Sequence, residues 1–179
     1  MQLEEFLDHA ETQLEAQLKE VIAVFQNLPE HVLLKPSAGN RWSIAECIAH
    51  LNSYADFYMP HLAGAINKSN VLRESSDFKH SLIGKYFINS MDVDRSKKKF
   101  KALKRHRPAQ ISSANVVVTD FIQHLENLLT LLRQARNKNL NKISVKTSIS
   151  SWIKISPGDA IQFLLTHNRR HLEQAKRNL

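Results

Sequence analysis

Between residues 2 and 28, apolar side chains recur at Leu3, Phe6, Leu7, Ala10, Leu14, Leu18, Val21 and Phe25, with Glu, Gln and Lys in the intervals. Spacings of three and four put these side chains on one face of an α-helix, and such a stripe has to be buried against another element. The same period returns in three more long segments of the chain. Only 4 Gly and 5 Pro occur in 179 residues, so little interrupts the helices once they start. Several long amphipathic helices in one chain predict an all-α fold, and four of them predict a four-helix bundle.

The first helix is expected to end at Pro29. In "PEHVLLKPSAGNR" two prolines and Gly39 forbid continuation, so residues 29–41 read as a loop whose Val32, Leu33 and Leu34 cover one end of the core. The second helix opens at "WSIAECIAHLNSYADFYMPHL". There Ser43 and Glu46 have capping-box spacing and Trp42 with Cys47 suit a hydrophobic staple. Pro60 is expected to kink this helix one turn before its end. The third helix runs from about Ser113 to Ala135, with Phe121, Leu125, Leu128 and Leu132 on one seam. The last starts at "SPGDAIQFLL", where Ser156 caps, Pro157 takes the first helical position and Asp159 completes a box. Residues 69–112 form one long connection between helices two and three, holding a shorter helical piece at "SLIGKYFINSM" and an extended return at the basic stretch before Pro108. A connection that long favours up-down-down-up wiring over simple alternation.

The length suits a single domain over residues 1–179, with a core that needs no disulfide or structural metal. The N-terminus is acidic and amphipathic, unlike a signal peptide, and no apolar run is long enough to span a bilayer. Cys47 is the only cysteine, which excludes an internal disulfide and suits a reducing, cytoplasmic setting; it reads as a small buried filler. The net charge of +8 is concentrated in "RSKKKFKALKRHR", residues 95–107. With Phe100 its single aromatic and no recognisable nucleic-acid module, this run reads as a solvated connection, without specific nucleic-acid or membrane binding, that can still greet an anionic small substrate. The chain carries no Ser-His-Asp signature, no Gly-rich phosphate loop and no CxxC.

Near the end, "LLTHNRRHLEQ" places His167 and His171 four residues apart on one helix face, the geometry of half a metal site. Read alone, the pair better suits a solvated helix end where Arg169, Arg170 and Lys176 complement the macrodipole. His50 points to the packed side of the second helix, where by itself it reads as a core histidine bonded to a carbonyl. His61 is too far along that helix to share a metal with His50. His124 reads as a half-exposed interface residue, and His9, His31, His80 and His106 lack partners at helical spacing.

The combination of "WSIAECIAHL" on the second helix with "HNRRHLEQ" on the last resembles the DinB/YfiT-like family of metal-dependent enzymes. The resemblance covers almost the whole chain in helix order and spacing, including Gln174. It implies an up-down-down-up bundle in which His50, His167 and His171 bind one divalent metal, zinc or nickel, with a position open for water or a thiolate. Activation of either would serve an S-transferase or hydrolase acting on a small substrate, with a low-molecular-weight bacterial thiol as a candidate partner. The resemblance also implies a homodimer, the first helix being apolar over a wide arc. The alternative is a non-catalytic, stress-related helical scaffold that retains a metal. No catalytic residue is assigned: Glu46 has a capping duty, and Asn168 and Gln174 are weak candidates for groups that orient the ligands.

Overall fold

The computed structural model describes residues 1–37, 41–69, 77–96 and 100–179. Within them lie the helices α1 (Leu3–Val24), α2 (Glu30–Leu34), α3 (Ile44–Lys68), α4 (Leu82–Met91), α5 (Ala114–Ala135) and α6 (Pro157–Lys176). A 3-10 turn covers Lys104–His106, so the basic stretch before Pro108 is not the wholly extended return expected of it. Two short strands, β1 (Val145–Lys146) and β2 (Lys154–Ile155), pair antiparallel with Val145 opposite Ile155. The long helices α1, α3, α5 and α6 are those the apolar period predicts. No described helix is long and apolar enough to cross a membrane.

Helix starts follow local chemistry. At α3 the Ser43 hydroxyl accepts the Glu46 N–H at 3.1 Å while Glu46 Oε2 accepts the Ser43 N–H at 2.8 Å. At α6 the Ser156 hydroxyl accepts the Asp159 N–H at 3.0 Å, and Asp159 Oδ2 takes the Ser156 N–H at 3.4 Å. Both boxes satisfy backbone donors that the first helical turn leaves without partners.

Packing then sets direction. Helices α1 and α3 each lie against both α5 and α6. On α3 and α6, His50 meets His171 and Tyr58 meets Phe163, so these two run oppositely. Arg136, at the end of α5, reaches Glu4, Asp8 and Glu11 near the start of α1, which makes that pair opposed as well. Gln13 pairs with Gln162 and Glu20 with Lys176, so α1 and α6 run the same way. Asn52 with Val117 and Asp56 with His124 give α3 and α5 a common direction. The seam residues Phe121, Leu125, Leu128 and Leu132 are buried, as their spacing predicts.

Several expectations are corrected. Pro29 does not end the first helix, which stops at Val24 with Phe25 as its C-cap, and residues 29–41 are not all loop, because Pro29 stands at the N-cap of α2. Of the three apolar residues there, Leu33 is fully buried and Leu34 is exposed. Gly39 lies outside the described residues. Pro60 is not one turn from a helix end, because α3 continues to Lys68. Buried Tyr58, Leu62 and Ile66 flank the proline and hold the helix across it, outweighing one lost backbone bond. The β1–β2 pair escapes a search for period, since two-residue strands carry none.

Asp159 also locks α4 onto α6. It is fully buried and accepts the Ser81 hydroxyl at 2.8 Å and His80 Nδ1–H at 2.7 Å, besides its own cap bonds. Burial opposes its charge, but these donors together hold the carboxyl below its ordinary range. Gly84 sits directly over it: an added Cβ would lie 2.2 Å from Asp159 Cγ. Alanine in a helix interior normally gains about 1 kcal/mol over glycine. Here the clash reverses the sign, and Gly84→Ala is expected to destabilise the protein by about 1–3 kcal/mol in urea unfolding, a typical cost of overpacking.

Candidate metal centre

The opposed packing of α3 and α6 brings His50 against His167 and His171, which stand one turn apart on α6. One ring nitrogen from each lies within 4.8 Å of those of the other two, a grouping that could hold a metal ion. Ring centroids are separated by 5.1 Å for His50–His167, 4.6 Å for His50–His171 and 4.7 Å for His167–His171. His50 and His167 are buried, and His171 is half-buried.

The outer nitrogens fix how the rings present themselves. His50 Nδ1–H donates to the His106 carbonyl at 2.6 Å, and His171 Nδ1–H donates to Gln174 Oε1 at 3.1 Å. Both acceptors select the tautomer whose Nε2 carries a free lone pair, the arrangement that metal-binding imidazoles require. His167 Nδ1 is buried without a hydrogen-bond partner among the described residues. An orphaned nitrogen in a cluster of lone-pair donors fits a divalent ion of the kind nitrogen ligands hold.

Electrostatics point the same way. Burial pushes all three imidazoles toward the neutral form. For His50 the carbonyl bond opposes that effect; for His167 the neighbouring His171, His50 and His106 add to it; and His171 is brought down to about 3. Neutral imidazole is the form that ligates.

The rings form the floor of a cavity of about 1010 Å³, whose walls include Trp42, Tyr54, Met91, Leu103 and Phe163. Trp42 lies 4.8 Å from His50 and 6.0 Å from His171, centroid to centroid, so it is a wall of the site as well as a flank of the helix start. Its carbonyl accepts Asn178 Nδ2–H at 2.8 Å, joining the end of α6 to the start of α3. Tyr54 packs on His50 and His167 and is kept a neutral phenol, its pKa raised by burial to about 12.

The remaining histidines divide. His61 bonds the carbonyl of Phe57 on its own helix, away from the three rings. His124 is half-buried and faces Asp56 at 3.2 Å. Of the four histidines expected to lack partners at helical spacing, His9 does have one, meeting Gln13 Nε2 at 3.0 Å four residues on, whereas His106 and His80 find theirs through tertiary contact. His80 meets Asp159. His106 is buried, stacks on Tyr54 at 3.9 Å and bonds the Ser53 hydroxyl through Nδ1, and its pKa is lowered to about 4, first by burial. The basic run is thus more than a solvated connection: Phe100, Lys101 and Leu103 line the cavity and His106 supports His50. Lys97, Lys98 and Lys99 lie outside the described residues. Of the weak candidates, Gln174 orients His171. Glu46 is held by its cap, and Asn168 turns to Gln17 on α1. Cys47 is buried and its thiol is pushed up to about 12, which makes it inert.

A family model described as the DinB superfamily matches residues 13–175. No curated protein and no solved structure matches the chain.

The depressed imidazoles set a pH dependence. In the unfolded chain they titrate near about 6.5. In the fold His106 and His171 titrate near 4 and 3. The stability that this difference affects is complete above the unfolded value and falls as pH drops below it, because the unfolded state then binds more protons. For chelator-treated protein the urea midpoint is expected to fall between pH 7.5 and pH 5, roughly above the range where carboxylates titrate. His106→Gln should flatten that fall.

Proposed function

Since the chain belongs to the DinB superfamily, we propose that it is a metal-dependent enzyme whose His50, His167 and His171 hold one divalent ion, zinc or nickel, at the base of the cavity. The observation that carries this reading is the convergence of three ring nitrogens within 4.8 Å of one another. The orphaned His167 Nδ1 and the fixed tautomers of His50 and His171 support it. The scaffold is read as a four-helix bundle of up-down-down-up order, supported by the contacts of α1 and α3 with α5 and α6 and by their directions.

A bound ion supplies Lewis-acid activation of a water or a small thiol, for hydrolysis or S-transfer to a small substrate. The chain's own residues prepare for that chemistry. The His106 carbonyl and Gln174 hold two rings in register, and Trp42 and Phe163 restrict solvent at the floor. Tyr54 stays neutral and adds no negative charge. No Asp or Glu stands among the described lining residues. Pairing with a second copy belongs to the same proposal. The stripe on α1 is spent on α5 and α6, so the apolar face for pairing is Leu82, Ile83 and Tyr86, exposed on α4.

Protein purified without a histidine tag is expected to carry about one divalent ion per chain by elemental analysis. His50→Ala and His167→Ala should lose it while keeping the helical circular dichroism spectrum, and His124→Ala should retain it. With cobalt in the site, a small thiol should produce a thiolate charge-transfer band. Metal retention without that band or any turnover would leave a scaffold that merely holds an ion, and wild-type metal content in His50→Ala would end the metal reading.

A further inference from the structure

Among the described lining residues of the cavity the charged side chains are all of one sign. Arg41, Lys101, Arg170 and Arg177 line it, and among the described lining residues there is no carboxylate. The acids close by in sequence are engaged elsewhere. Asp92 meets Arg95 at 3.4 Å, Asp94 meets Arg169 at 2.9 Å, Glu46 holds the Ser43 N–H, and Glu173 holds Lys176 at 2.7 Å. Arg170 is fastened in place, its Nη1 donating to the carbonyls of Met91 at 3.5 Å and Ser96 at 3.3 Å, so the wall beside the histidines carries a fixed positive charge. Arg41, Lys101 and Arg177 are exposed at the rim.

Apolar side chains make up much of the rest of the wall, beside Ser37, Ser96, Ser148, Gln174 and Asn178. Phe87, Met91 and Phe163 lie inside, and Phe100 and Ile149 stand half in solvent at 48% and 49% exposure. An apolar cleft lined by charge of one sign concentrates ligands of the opposite sign, since its low-polarisability walls focus the field. A divalent ion on three neutral imidazoles keeps its own charge and adds to the same field.

We infer that this cavity takes a small organic oxyanion, an apolar body carrying a carboxylate, with the arginines and Lys101 at its wall holding the charged end. This rests on the proposed function in one respect, that the reactive end of the molecule lies over the three histidines. Guanidinium groups suit the task because they grip a carboxylate with paired donors.

The two tryptophans allow a direct measurement. Trp152 is 93% exposed, whereas Trp42 stands in the cavity wall, so in a Trp152→Phe background the remaining fluorescence reports on the cavity. Phenylbutyrate, phenylbutanol and phenylbutylamine share one apolar body and differ in charge, and each is titrated into metal-loaded and chelator-treated protein. The acid is expected to bind about tenfold or more tightly than the alcohol, the amine more weakly than either, and the preference to shrink at high salt. It should survive chelation and collapse by about tenfold in Arg41→Gln/Arg177→Gln, with alcohol binding unchanged. Equal binding of acid and alcohol, no binding of the acid, or an unchanged preference in the double variant would overturn the inference. Loss of the preference on chelation would also overturn it, by assigning the anion to the ion instead of the side chains. A protein that binds no metal but keeps the preference refutes the enzyme proposal alone, and a metal-binding protein without it refutes this inference alone.

Discussion

Three imidazoles withdrawn from water into one cluster are the constraint that the rest of this molecule has to accommodate. A buried polar group without a partner costs roughly 1–3 kcal/mol, and a charged imidazole there would cost more. The fold meets that demand with the His106 carbonyl for His50 and the Gln174 amide for His171, leaving one nitrogen of His167 orphaned. These partners lie on different elements, so the cluster requires α3, α6 and the 3-10 turn at Lys104–His106 to be docked together. Rotational register matters as much as proximity. One residue of slip along a helix swings a side chain by about 100°, and the capping boxes at Ser43 and Ser156 fix where α3 and α6 begin.

Asp159 shows how a local signal takes on a tertiary role. In the sequence it is the third residue of a capping box and a charge suited to the helix dipole. In the fold the same carboxylate also receives Ser81 and His80 from the start of α4. The far end of α4 is tied to α6 by Arg170, through the carbonyl of Met91. The segment that walls the cavity is therefore fixed at both ends by residues of α6.

What was legible in the sequence follows from range. Caps, apolar stripes and the shorter helix at Leu82–Met91 depend on neighbours within a turn or two, and they appear where the spacing puts them, except that α1 stops at Val24, short of Pro29. Periodicity leaves His50 as a core histidine with a carbonyl partner, and it does have one. Its grouping with His167 and His171 came from the resemblance, because no local pattern links residues so far apart. The same limit hid His106, whose usefulness lies in a backbone carbonyl that any residue type could supply, and His80, whose partner lies on a helix far along the chain. Helix α2 and the β1–β2 pair are too short for period to reveal. Pro60 misled because interior burial on both sides of it outweighs the missing N–H.

The order of the ligands along the chain has a consequence for how such a site comes to be filled. His50 leaves the ribosome long before His167 and His171, and during that interval it is a solitary imidazole on a helix whose packing partner does not yet exist. The two later histidines share one helix and converge on His50 only once α6 has docked. A nascent chain therefore has no pocket able to retain an ion, and the contacts that bring the site together are apolar and hydrogen-bonded ones that need none. On the proposed reading, metallation would then come after folding, as an exchange between a finished protein and the metal pool around it. The identity of the ion would be set by what that pool offers to a preformed nitrogen site, within the affinity order that such ligands impose.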